Sequence, residues 1–425
     1  MFETLRNAWR IKELRKKILY TLFMLLLYRL AGVIPVAGVN PEAVQTAIEN
    51  FSLLNFMSAM TGGQFSQMTI MAMGITPYIN ASIIMQLLTV AIPYLENLQK
   101  EGEEGRKKIA QYTRYATVVL GFIQAVGLVL GMGAVRADHF SPFITSCMIG
   151  VSMAAGTALA MWIGERITEN GIGNGISLLI FAGIIASLFQ WVVGGISDFV
   201  TAIGAGTLTV GMVVVAVIII LAVLVMVTAV TFVDMGERRV PVQYAKRVVG
   251  RKMYGGQSTH IPMKVNSSGV LPLIFAFSIM QFPGTIMAFW PNSAVSQWWN
   301  NSFMNSVWYQ LVLAVMIIFF AYFYTSITFN PVDIAKNLQQ NGGTIPGIRQ
   351  GKPTSDYLAR ISQRITLFGG VFLALLATIP TLVTLWGGIQ LPFAASSLLI
   401  AVSVSLETTR QLESQMLMRH YKGFL

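Results

Sequence analysis

The chain has 425 residues, 54% of them hydrophobic and only 11% charged, with a formal net charge of +11. Soluble domains carry about 25% charged residues, so the composition excludes an ordinary soluble protein and defines an integral membrane protein. One cysteine, Cys147, excludes an internal disulfide framework and a cysteine metal cluster. His139, His260 and His420 lie far apart and in no ligand spacing such as HExxH, so no metal or other cofactor is expected.

Windows of about 20 mostly apolar residues mark membrane spans. In chain order they fall near 18–36, 70–93, 115–135, 143–164, 175–195, 210–233, 268–289, 307–329, 365–386 and 391–408. The first resembles a signal peptide, since Arg6 to Lys17 precede its apolar core. Arg29 interrupts that core and nine spans follow, which predicts an uncleaved first helix. Between spans one and two, Phe51 to Met60 form a ten-residue apolar run. As a helix it would be about 15 Å long, half of a ~30 Å bilayer core. Gly62-Gly63 and the polar Gln64, Ser66 and Gln67 then break it. A half-length helix beside a full-length one is expected there.

Of the 29 lysines and arginines, 27 fall on alternating loops of one side, including both termini. Only Arg136 lies opposite, and Arg29 lies within a span. The positive-inside rule puts that side, with both termini, in the cytoplasm. The net charge therefore reports topology and by itself names no nucleic-acid partner.

Ten spans divide into five and five, residues 1–195 and 196–425, with the break near Gly195 to Gly206. With an odd number per half, the second half enters from the opposite side, as in the inverted repeats of many transporters. No Asp or Glu lies well inside a span, so no buried ion site for a coupled transporter is expected. The spans carry neutral irregularities instead: Pro77, Asn80, Ser82 and Gln86 in the second, Pro272, Gln281 and Pro283 in the seventh. They read either as kinked bundle helices with interhelical hydrogen bonds or as two helices facing across a seam that can open.

Two loops are long. Residues 234–267 contain β-prone stretches at Val240–Ala245 and Thr259–Val265 around "RVVGRKMYGG", a basic-tipped hairpin with Gly255-Gly256 in or near its turn. The other loop, 331–363, holds "GGTIPGIRQGKPT", a Gly/Pro turn presenting Arg349 and Lys352. Each reads as topogenic charge or as a docking surface for RNA phosphates or an acidic protein. No GxxxxGK[ST] phosphate loop occurs, and "ENGIGNG" reads as a tight turn between spans four and five, so energy must come from a partner.

"GITPYINASIIMQLLT", "KEGEEGRKKIAQYTRYAT", "GERITENGIGNGISLLIFAGI", "ERRVPVQYAKR", "QSTHIPMKVN" and "PGIRQGKPT" resemble the SecY family in one order from span one to span ten. That family supplies the pore subunit of the bacterial Sec protein-translocation channel. The resemblance implies an all-α polytopic membrane protein, a ten-span clamshell of two inverted five-helix halves with a re-entrant plug half-helix. It would pass unfolded polypeptides across the membrane or release them sideways into lipid.

Carried over residue by residue, the resemblance implies a plug at about 52–67, including Phe56, Met60, Gly62, Gly63 and Phe65. The constriction would be a ring of Ile75, Ile79, Ile180, Ile184, Ile274 and Ile400. Branched aliphatics hold no ion and seal by dewetting. Asn80 and Phe282 map to a lateral gate, and Arg349 to an arginine on which the SecA motor ATPase depends. The long loops, with Arg238, Arg239, Arg247, Arg251, Lys252 and Lys352, would also meet the ribosome. Gln350 replaces the family's usual proline, which is expected to loosen that turn. Implied partners are SecE-like and SecG-like small membrane subunits, signal sequences, the translocating chain and membrane lipid; the implied location is the bacterial inner membrane. Beside this stand a secondary transporter for a neutral solute, supported by the five-plus-five count, and then an intramembrane enzyme, for which the spans hold no acid pair or nucleophile–base pair.

Overall fold

Helices occupy all ten apolar stretches: Lys12–Ala31, Thr76–Ala91, Glu103–Gly131, Pro142–Asn170, Gly175–Gly204, Val210–Met235, Leu271–Met287, Val307–Thr328, Lys352–Gly387 and Ala395–His420. The computed structural model describes residues 2–50, 58, 61–135, 141–205, 210–244, 247–249, 252–254, 258–266, 269–287, 293–304, 306–387 and 395–420. Among these, six helices are long and apolar enough to cross a membrane, and Thr76–Ala91 with Pro93–Lys100, bent by 99°, adds a seventh. The first helix falls short on polarity, since it carries Lys12, Glu13, Arg15, Lys16, Lys17 and Arg29.

The second span starts six residues later than hydropathy suggests, at Thr76. Residues 62–75 form turns. They are held by Val36 N–H to Met68 O (3.0 Å) and Ile70 N–H to Ile34 O (3.0 Å), so their backbone bonds go to the chain leaving helix one. Pro77 then sits in the first turn of its helix, where a missing N–H costs nothing. It therefore starts that helix and does not kink it; Pro272 stands likewise one residue into Leu271–Met287, and only Pro283 is interior. A helix at Pro41–Asn50, outside the predicted spans, follows the first.

Two units are compact. The first comprises 1–219, 278–306 and 390–425. Its core joins Val39, Phe65, Met68, Met73, Val129, Ile149 and Met153. Small residues bring the fourth span close to its neighbours. A Cβ at Gly150 would lie 2.5 Å from Val126 Cγ2, and one at Gly156 would collide with the Ile70 carbonyl. The 171–174 turn is a helix connection, as the sequence suggests. Asn174 accepts from Ile176 N–H (3.1 Å) and Ser177 N–H (3.4 Å), capping the fifth span, and Ile172 N–H donates to Thr21 Oγ1 of the first (3.1 Å).

The second unit comprises 220–277 and 307–389. Here β1 (Glu237–Tyr244) pairs antiparallel with β4 (Ser258–Lys264), from Glu237 opposite Lys264 to Gln243 opposite Ser258. The expected hairpin is present. Its tip is a smaller ribbon of β2 (Arg247–Val249) and β3 (Lys252–Tyr254), which closes between Val249 and Lys252, ahead of the expected Gly255-Gly256. A third strand, β5 (Gly343–Thr344), comes from the other long loop and pairs with Gln243 and Tyr244. Val240 and Val242 point inward with Met263, Leu338, Ile345 and Leu358, so the two loops share one apolar core. Asn266 Nδ2 donates to Asp234 Oδ1 (2.7 Å) and closes the base of the hairpin. Phe275 packs edge-on against Phe320 (5.8 Å) and Tyr324 (6.3 Å), joining the seventh and eighth spans.

Candidate functional site

The six isoleucines come from helix positions that local sequence fixes. Ile75 is the residue before the second span, and its carbonyl accepts from Ile79 N–H at 3.1 Å. Ile180 and Ile184 share one face of the fifth span at i, i+4. That helix packs against Ala395–His420, which carries Ile400. All five are buried, Ile184 and Ile400 to 1% exposure. Ile274 belongs to the second unit, is half-buried, and stands one residue before Phe275.

Of the plug residues, Phe56 and Met60 lie outside the described residues. Those after them are tightly held. Gly62 (φ +71°) packs against the Arg29 guanidinium and the Gly183 carbonyl: a Cβ there would lie 2.6 Å from both Nη atoms and 2.9 Å from that oxygen. Gly63 (φ +82°) lies beside Gln190, where a Cβ would come within 3.3 Å of Oε1. Gln64 is buried against Gly32, where an added Cβ would force the glutamine side chain to move, and neither of its amide atoms has a hydrogen-bond partner among the described residues. Phe65 is fully buried in the core of the first unit. The break after the apolar run is thus a backbone turn wedged between the first and fifth spans, followed at once by a core anchor.

Asn80 is buried, and its Oδ1 meets no hydrogen-bond partner among the described residues. Phe282 is exposed on the seventh span, one residue before Pro283. Leaving a buried polar atom unpaired costs about 1–3 kcal/mol.

In the loops, Arg238 and Arg239 are exposed at the start of β1, Arg239 pairing with Glu237 (2.6 Å). Arg247 and Lys252 fall on β2 and β3, and Arg251 lies outside the described residues. Arg349 and Lys352 are exposed. Gly347 (φ +80°) and Gly351 (φ +87°) flank that turn in the left-handed region that glycine alone enters freely. Gln350 Nε2 donates to Gly343 O, so this residue fastens the turn where the sequence suggested loosening. Among the described residues, no group of three His, Cys, Asp or Glu side chains could hold a metal ion.

Sequence reasoning left Arg29 without a partner. Its Nη2 donates to the Ala182 carbonyl of the fifth span. The signal was its isolation: a charge inside an apolar span marks a functional position. The β5 pairing carried no signal, because two residues give no periodicity.

Broken second span, wedged turn, buried branched aliphatics and a basic sheet-bearing loop belong to a polytopic membrane protein, and solved structures share the fold. A SecY channel whose plug domain is described as stabilising the closed state and maintaining a membrane seal matches with a TM-score of 0.69, 19% identity and 97% of each chain covered. Sec61 in a canine ribosome–channel complex from the endoplasmic reticulum matches with a TM-score of 0.67, 18% identity and again 97% of each chain.

The sequence narrows this further. The SecY family model matches residues 69–409, and the protein translocase subunit SecY of Streptomyces scabiei is 44% identical over 447 residues, covering all of both chains. The chain belongs to the SecY family. It is a multi-pass membrane protein and the protein-conducting channel of a Sec translocase, and the neutral-solute transporter reading falls away.

Proposed function

We propose that this chain is a passive gated pore, not an enzyme, whose resting seal has two layers. An outer layer is the plug at about 52–67. An inner layer is the ring of Ile75, Ile79, Ile180, Ile184, Ile274 and Ile400. The supporting observation is the close approach of Gly62 to the Gly183 carbonyl, one residue before Ile184 in the fifth span. Because Phe65 is a core residue, the moving part of the plug ends at the Gly62-Gly63 turn. Transmembrane segments leave sideways past Asn80 and Phe282, the latter exposed and next to an interior proline.

The power comes from outside. Arg349 and Lys352, with Arg238, Arg239, Arg247, Arg251 and Lys252, receive the SecA motor and the ribosome on the cytoplasmic side, where both termini lie. SecE-like and SecG-like subunits cover apolar helix faces, signal sequences open the gate, and the membrane is the bacterial inner membrane. The inverted halves divide near residue 195. The test is reconstitution: the purified chain with SecE-like and SecG-like partners should pass an unfolded precursor into vesicles only when SecA and ATP are present. Transport of a small neutral solute without a motor would overturn the reading.

A further inference from the structure

We infer that Arg29 is the catch that seats the plug: a positioning residue whose guanidinium clamps the Gly62 turn onto the fifth span. The inference rests on the plug reading above. Three observations converge on it. First, Arg29 Nη2 donates to the Ala182 carbonyl, so the side chain crosses from the first span to the fifth. Second, the turn at Gly62 packs against this crossing. A Cβ built at Gly62 would lie 2.6 Å from the Arg29 guanidinium and 2.9 Å from the Gly183 carbonyl, so both groups face the same side of this residue. Glycine is favoured here both by the Gly183 backbone oxygen and by its φ of +71°. Third, none of the described ion pairs includes Arg29, and its described hydrogen-bond partner is a backbone carbonyl.

The same face of the first span continues the seat. Gly32 lies against the Gln64 side chain, and the Tyr28 hydroxyl lies 3.6 Å from where a Cβ at Gly74 would stand. The first span and its C-cap thus touch the 62–75 turns at their start and near their end. Phe65 fixes the segment's far end in the core, so rotation about Gly62-Gly63 is the available motion. A charge within a span is costly and retained where it does work, and Arg29 stands in the last turn of its helix. Here a charge-assisted hydrogen bond, among the stronger single polar contacts, closes over the hinge. Release of the plug uncovers the guanidinium to water, which offsets part of the loss. The catch is therefore strong enough to hold and able to open.

The test is a double-mutant cycle on the purified translocase complex in planar bilayers, read as resting ion conductance. Arg29→Gln and Gly62→Ala should each raise the open-to-closed ratio about tenfold, the ratio that ~1.4 kcal/mol represents. Arg29→Lys, which keeps the charge without the planar fork, should fall between Arg29→Gln and the parent. Deleting residues 52–60 should raise conductance by itself, and Arg29→Gln should add nothing in that background. Should Arg29→Gln fail to accumulate, Gly62→Ala carries the same test from the other side of the contact. Parental conductance in the point variants, with a leaky deletion, would overturn the catch and leave the plug reading standing. A rise from Arg29→Gln that is as large in the deletion as in the full chain would also overturn it. A deletion that conducts no more than the parent would remove the plug reading, and the catch with it.

Discussion

Gln350 and Gly343 are joined by a hydrogen bond of 3.2 Å, from the glutamine Nε2 to the glycine carbonyl, which ties the Arg349 turn back to β5. From the other side Thr354 Oγ1 donates to the Arg349 carbonyl at 2.7 Å. The Arg349 carbonyl and the following side chain are therefore both held while the Arg349 side chain stays exposed. Such a residue is displayed, not packed.

Arg349→Glu should abolish motor-driven export while leaving the protein inserted at parental abundance. Exposed ion pairs are worth ~0–1 kcal/mol, and none of the described ion pairs includes Arg349, so the fold loses almost nothing. An acidic motor surface would meet repulsion instead of attraction. Gln350→Ala should lower export more mildly by loosening the turn. Precursor translocation into vesicles measures both; full export by Arg349→Glu would reduce the loop to topogenic charge.

The 27-to-1 split of loop charges predicts the orientation of the whole chain. Single cysteines at Gly342 and Ser258, in a cysteine-free background, should react only with reagents applied from the cytoplasm. One at Asn292 should react only from outside. Labelling of the Gly342 position from outside would invert the topology.

The ten helices were legible because apolar length is a strong signal, and the loop hairpin because Val240 and Val242 alternate with exposed residues. Helix ends were less so. The second span begins at Thr76 because its preceding apolar residues bond to the chain leaving helix one, a tertiary choice that hydropathy cannot see. Lys352–Gly387 begins 13 residues before its apolar stretch at 365, since its first turns pack into the loop core through Leu358. The isoleucines were recognisable only through the family resemblance, because i, i+4 isoleucines occur in any membrane helix. Conversely, the Arg29–Ala182 bond joins a side chain to a backbone atom 153 residues away, a pairing for which no local pattern exists.

Cysteines at positions 80 and 282 should form a disulfide that stops export, with recovery on reduction. Asn80 is buried with its Oδ1 unpaired among the described residues, and Phe282 is exposed beside Pro283, features of a seam that has to part. The single-cysteine variants provide the baseline for insertion and export. If the linked protein exports at the rate of the reduced one, lateral parting of these helices is not a step in translocation.

Plug and ring can be separated by removing them in turn. Since Phe65 belongs to the core, a clean plug deletion stops at Met60, removing Ser52 to Met60 and sparing the anchor. That variant should still export, with a modest resting leak. Ile400→Asn puts an amide where a side chain is 1% exposed among apolar neighbours, and it gives water a partner that isoleucine refuses. Burying that amide also costs about 1–3 kcal/mol if it stays dry, so the wetted, open state gains on both counts. Ile400→Asn alone should therefore favour opening and admit precursors with weak signal sequences. Ile274→Asn should do the same, and less strongly, because Ile274 is half-buried already. Combining Ile400→Asn with the deletion should give a conductance well above the sum of the two single changes, because each layer still blocks ions when the other fails. A combined variant as tight as the parent would mean that the barrier lies at neither layer.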